Sequence, residues 1–253
     1  PLHPHYYSVR IEDFYLNLDR ALDKGPCIYV LDSTDALTSS DEEKKFDELK
    51  KAKDKAKDGK PVEVKGSYGD GKAKKNSAFL RQMINKLDST GSILIIISQT
   101  RDDVGGWIPG QKTRSGGKAL SFYAQVEVWS SVRKRLTKKV RDQDRHIGNE
   151  CQFHVKRSRF VGHEVKVTFP IYFSSGIDDL GSCVDYLVNE KHWKKADKGG
   201  RIEAPEFDFT GGREALVSKV EDENREDELR SLVAQVWVEV EAESSVERKR
   251  RYV

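Results

Sequence analysis

Two short, almost unbroken apolar runs set the frame for this chain, CIYVL at 27–31 and ILIII at 93–97. Neither alternates with polar residues as a strand with one wet face would, and each has a buried strand's length. Both are expected to be parallel strands covered on both faces. Helical spacing falls around them: Phe14, Leu18 and Leu22 recur before a Gly-Pro break, and Leu80, Met83, Ile84 and Leu87 form one stripe. This alternation predicts an α/β fold with a mainly parallel central sheet flanked by helices. Further β-like segments are HYYSV near the start, then AQVEVWSSV, CQFHVKR and VKVTFPIYF. From about Gly176 the signals turn helical, with Leu229, Leu232, Val233 and Val236, and the chain closes on the basic ERKRRYV. Two parts are therefore expected: an α/β core over 1–175 and a small α-rich C-terminal part over 176–253. The charged stretch DEEKKFDELKKAKDKAKDGK, inside an insertion at about 40–65, has few apolar anchors and reads as a solvated excursion, mobile or partly helical.

At 253 residues, 36% hydrophobic and 34% charged, the chain can bury one sizeable core with at most a small appendage. No run has the length of a membrane-spanning helix, and PLHPHYYSVR lacks a basic region followed by an apolar block. A soluble, cytoplasmic protein without a membrane partner is expected. The first residue is not Met, so sequence is expected to precede Pro1. Cys27, Cys151 and Cys183 are odd in number and far apart, which argues against a disulfide framework and a zinc site. Net charge is only +3, but its distribution is uneven. Between Ser130 and His163 stand Arg133, Lys134, Arg135, Lys138, Lys139, Arg141, Arg145, Lys156, Arg157 and Arg159 against Asp142, Asp144 and Glu150. That segment reads equally as a polyanion-binding surface and as a solvated hairpin face.

Ligands of open α/β sheets bind outside the carboxyl ends of the strands. Asp32 ends the first apolar run, where an acid orients magnesium and its water; capping the following helix is the alternative role. Gln99 ends the second, where an amide can contact a γ-phosphate and shift the loop behind it. That loop, TRDDVGGWIPGQKTRSGGKALSFYAQVEVW, carries Arg101, Lys112, Arg114 and Lys118, the apolar Trp107 and Ile108, and Gly116–Gly117 before a helix. Glycine amides, cations and an apolar wedge suit a nucleic-acid backbone; a surface loop without that role is the alternative. GSYGDGKA, with Gly66, Gly71 and Lys72 at phosphate-loop spacing but Ala73 in place of Ser or Thr, reads as a phosphate loop or as a look-alike.

In order along the chain, IYVLDSTDAL, GDGKAKKNSAFLRQMINKL, IIISQTR, RSGGKALSFYAQVEVW, VKRSRF and SSGIDDLGSCVDYLVNEKHW resemble the RecA-type recombinases, most closely the RecA-like proteins carried by bacteriophages, over about residues 6 to 240. The pair SQTR and RSGGKALSFYA is the specific element. The resemblance implies a RecA-like phosphate-loop NTPase core, ATP and magnesium as cofactors, single-stranded and double-stranded DNA as partners, and a homo-oligomeric helical filament. Asp32 and Ser33 then serve magnesium, Gln99 reads the γ-phosphate, and Lys156 and Arg159 reach ATP on the adjacent subunit. Lys72, Lys74, Lys75 and Arg81, at the end of the first DNA-binding loop and its helix, become DNA contacts. Arg101, Trp107, Lys112, Arg114, Gly116, Gly117 and Lys118 form the second DNA-binding loop. In that family the phosphate loop precedes the magnesium-acid strand, so GSYGDGKA takes the place of the first DNA loop, and the phosphate loop and catalytic glutamate are expected upstream of Pro1. Weak ATP binding by the chain as given follows. Other classes remain open at this stage: an accessory or motor ATPase of the same fold without strand exchange, and a non-catalytic DNA-binding module.

Overall fold

The computed structural model describes residues 7–55, 70–102, 112–114, 117–160, 164–196 and 200–244. The chain divides into two compact units, Pro1–Gln125 and Val126–Val253. The division by compactness therefore falls earlier than the expected boundary near Gly176.

The first unit is built on helix α1 (Ile11–Leu22), whose Ile11, Phe14, Tyr15, Leu18 and Leu22 are buried along one stripe. Its start is fixed by the Asp13 carboxylate, which accepts from the Arg10 amide at 3.0 Å and from the Arg10 guanidinium at 3.4 Å. Strand β1 (Ile28–Leu31) pairs in parallel with β2 (Ile93–Ile96), Ile28 beside Ile93 and Leu31 beside Ile96. Between them run α2 (Ser40–Lys55) and α3 (Asp70–Thr90). Leu80 and Met83 of α3, with Leu120 of α4 (Gly117–Tyr123), close the core against α1. Strands β3 (Thr100–Asp102) and β4 (Lys112–Arg114) form a separate antiparallel pair.

Two expectations need correction in this unit. The strands are not covered on both faces: Tyr29, Leu31, Leu94 and Ile96 pack on the core, while Ile28 is 66% exposed, Val30 52%, Ile93 55% and Ile95 45%. The charged stretch agrees with its partly helical reading, since its part up to Lys55 is helix α2, capped reciprocally by Ser39 and Glu42: the Ser39 amide donates to Glu42 Oε2 at 3.0 Å and the Glu42 amide to Ser39 Oγ at 3.3 Å. Near the start, Tyr7–Val9 of HYYSV lie in no strand, and only Arg10 bridges to Thr38.

The second unit opens with a long hairpin, β5 (Val126–Val140) and β6 (Gln143–Ser158), continued antiparallel by β7 (Val165–Tyr172) and β8 (Gly176–Ile177). Val140 pairs with Gln143, so the turn is the two residues Arg141 and Asp142, both with positive φ, 49° and 60°. That geometry matches the twist of a two-residue hairpin. A connection this short imposes antiparallel pairing. The expectation of a mainly parallel sheet is therefore met only by β1 and β2 among the described strands. Beyond β8, helices α5 (Asp179–Asn189), α6 (Arg213–Asp222) and α7 (Glu226–Glu243) surround a second core that includes Val184, Leu187, Trp193, Phe207, Leu216 and Leu229. A small antiparallel sheet, β9 (Lys194–Lys195), β10 (Ile202–Ala204) and β11 (Phe209–Gly211), completes it. Arg213 fastens this part by donating to Asp178 at 2.8 Å and to Asp185 at 3.0 Å. Among the described residues, no helix is long and apolar enough to cross a membrane.

Candidate functional site

The parallel pairing of β1 and β2 brings their carboxyl ends together. The ladder closes with the Ile97 amide donating to the Leu31 carbonyl at 2.9 Å, and the chain after β1 turns back so that the Thr34 amide donates to the Ile97 carbonyl at 3.0 Å. Asp32 and Ser33 leave the first strand at this point, joined by a cis peptide bond, and Gln99 stands just beyond the second. Asp32 and Gln99 are exposed and Ser33 is half-buried. Thr34 is buried, and its Oγ1 has no hydrogen-bond partner among the described residues.

The connection between the two strand ends is a residue that the sequence reading passed over. Asp35, its side chain only 6% exposed, accepts a 2.7 Å hydrogen bond from the Gln99 amide and lies 3.7 Å from the Arg101 guanidinium. One carboxylate thus binds the turn after β1 to the backbone of Gln99 and to the first strand of the next hairpin. The signal was present as the second acid of DSTDAL, but an Asp in a short turn is too common a helix cap to be singled out.

Arg101 is thereby placed in β3, exposed yet paired with Asp35. Lys112 is exposed at the start of β4, facing Asp102 in register, and Arg114 ends that strand opposite Thr100. Both stems of the glycine-rich loop are therefore strands. Trp107 and Gly116 lie outside the described residues; Gly117 and Lys118 open α4.

At the other candidate DNA element, Asp70 to Lys75 already belong to α3. Lys75 is engaged within the fold: its ammonium donates to Glu12, to Ser40 Oγ at 2.7 Å, and pairs with Asp41 at 3.1 Å. Burial pushes the Glu12 carboxyl up, but hydrogen bonds from Lys75 and Ser40 outweigh this and hold it at about 2. Burial likewise opposes the charge of Lys75, and its two carboxylate partners raise it above the usual lysine range. This cluster joins α1, α2 and α3, and a half-buried ammonium so occupied is poorly placed to meet a phosphate. Lys72 lies 3.8 Å from Glu42, Lys74 is exposed, and Arg81 donates to the Tyr123 hydroxyl at 3.5 Å.

In the second unit, Lys156 stands near the end of β6 with its ammonium 3.6 Å from the centre of the Trp129 ring. A cation held on an aromatic face keeps its charge while its stem is fixed. Arg159 is exposed in the bend after β6.

Residues 58–178 match the RecA N-terminal domain family. That stretch includes Gln99, the glycine-rich loop and Lys156, and begins after Asp32. Protein RecA of Chlorobium limicola is 28% identical over 183 residues, which are 71% of this chain and 49% of that protein. The chain spans about half the length of that relative.

Proposed function

We propose that this chain, which belongs to the RecA-type recombinase family, is the part of an ATP-dependent DNA recombinase that links nucleotide state to DNA binding. The whole protein forms a helical filament on single-stranded DNA, pairs it with homologous duplex and exchanges strands. One observation carries the reading: the peptide of Gln99 is fixed to the turn after Asp32 through Asp35, and the next residue, Thr100, begins the stem of the glycine-rich loop.

The donor set at the strand ends fits magnesium. Asp32 and Ser33 offer hard oxygen donors and would be the residues that hold the ion. ATP held there supplies the γ-phosphate that distinguishes the two nucleotide states. Gln99 presents its amide to that γ-phosphate, and any displacement of its backbone is passed to β3, and so to Arg101 and Lys112 in the ladder. Lys156 and Arg159 reach ATP on the neighbouring protomer, which makes filament assembly and nucleotide binding one linked equilibrium. DNA contacts fall to Lys74, Arg81 and the second loop with Trp107, Arg114, Gly116, Gly117 and Lys118.

Gln99→Ala tests the reading in the full-length protein. DNA affinity is expected to become about equal with ATP analogue and with ADP, since the amide that distinguishes them is gone. A variant that keeps the wild-type difference while only its denaturation midpoint falls would reduce Gln99 to a structural residue and remove the coupling.

A further inference from the structure

Lys156 does not sit in the regular ladder of the second unit. Glu127 of β5 pairs with Arg157 and the next residue, Val128, pairs with Val155, so Lys156 is left over between them as a β-bulge. An extra residue in one strand bends it locally and re-aims a side chain, and such bulges gather beside functional sites. Here the re-aimed side chain is an exposed lysine whose ammonium lies 3.6 Å from the centre of the Trp129 ring. The ring is held in turn. Its indole N–H donates to Glu127 Oε1 at 2.9 Å, and its backbone stands opposite His154, whose Nε2 lies 2.7 Å from Glu164 Oε2. Glu127, Trp129 and Lys156 therefore form a relay of contacts that ends on a cation.

The kind of partner matters. A lysine stem loses rotamer freedom when it is ordered, and a carboxylate that ordered it would also offset its charge. An aromatic face orders the stem and leaves the charge whole. A lysine that only stabilises the fold gains little from that difference. One that must meet a phosphate on another molecule gains from it, because the ordering cost is met before the ligand arrives and the full charge is still available. We propose that Trp129 is the positioning residue for Lys156, holding its ammonium in the aim that reaches nucleotide phosphate across a protomer boundary, with Glu127 fixing the ring. This rests on the reading above that Lys156 acts on the ATP of the neighbouring protomer, and adds to it the residues that set the aim.

The test uses Trp129→Leu and Lys156→Met, singly and together, in the full-length protein, with ATP-dependent assembly on oligo-dT read by light scattering. Trp129→Leu is expected to raise the protein concentration needed for half-assembly about tenfold, and Trp129→Phe, which keeps a ring face, to stay within about threefold of the wild type. The double variant is expected to be no worse than Lys156→Met alone, because a residue that acts only through another contributes nothing once that one is gone. Additive losses would overturn the positioning role, and so would wild-type assembly by Trp129→Leu alongside a loss in Lys156→Met. Wild-type assembly by Lys156→Met would overturn the inter-protomer role of Lys156 itself, and the positioning role with it. NMR of the 253-residue chain separates positioning from a general loss of stability. The ring current of Trp129 is expected to displace the Lys156 ε-methylene protons upfield in the wild type. Ordinary lysine shifts there would overturn the proposal, since the ring would not hold the ammonium in solution.

Discussion

Asp35 shows how one side chain can determine the geometry of a site without being a ligand in it. Its carboxylate is nearly buried and accepts from the Gln99 amide, so removing it leaves the peptide that carries the proposed sensor without its anchor. Asp35→Ala is expected to lower stability by about 1.5–3 kcal/mol, the range for hydrogen bonds to a charged acceptor, as read from chemical denaturation. In the full-length protein it should also reduce the ATP-to-ADP difference in DNA affinity, a readout that a merely structural role would leave unchanged. Glu12 provides a second residue-scale test. Its pKa of about 2 lies below the ordinary 4.5, so its contribution to stability is complete above about 4.5 and is lost as the pH falls toward 2. Glu12→Gln should cost about 1–3 kcal/mol at neutral pH, and the gap to the wild type should close over that acid window in pH-dependent denaturation midpoints. A gap that stays constant down to the lower limit would show that the Lys75 cluster does not hold this carboxylate.

At the level of elements, α2 is the clearest lesson. Its apolar content is low, and the Lys-rich composition suggested a solvated excursion, mobile or partly helical. The Ser39 and Glu42 side chains nevertheless satisfy each other's amides at the start of the helix, and Ser40 and Asp41 join the Lys75 cluster. The pattern Ser-x-x-Glu was visible in SSDEE, but its effect depends on a buried serine, which only the packing of Ser39 supplies. Ser39→Ala should therefore cost about 1 kcal/mol and lower the helical circular-dichroism signal of the chain. The helical stripes of α1 and α3 were legible because Phe14, Leu18, Leu22, Leu80 and Met83 keep helical spacing against one core. Strand direction was less legible. Apolar runs reveal burial but not partner direction, and the two-residue turn at Arg141–Asp142 carries neither Gly nor Asn to announce an antiparallel hairpin.

For the molecule as a whole, the linear order of short motifs was more informative than any single one of them. Order moved GSYGDGKA away from the phosphate-loop role and placed Asp32 and Gln99 at neighbouring strand ends. The parallel register of β1 and β2 agrees with that placement. Order could not disclose which faces of those strands are covered. The runs CIYVL and ILIII are apolar on both sides, as for a strand sealed between two layers, yet Ile28, Val30, Ile93 and Ile95 form an open apolar face. An exposed apolar surface of this kind should bind a hydrophobic dye such as ANS in the natively folded chain. Ile93→Thr with Ile95→Thr keeps β-branched side chains suited to a strand while making the face polar. The variant is expected to lose most of the dye fluorescence and to keep its denaturation midpoint within about 1 kcal/mol, since exposed positions contribute little burial. A large loss of stability would mean that these isoleucines are covered in solution, and unchanged fluorescence would place the dye elsewhere.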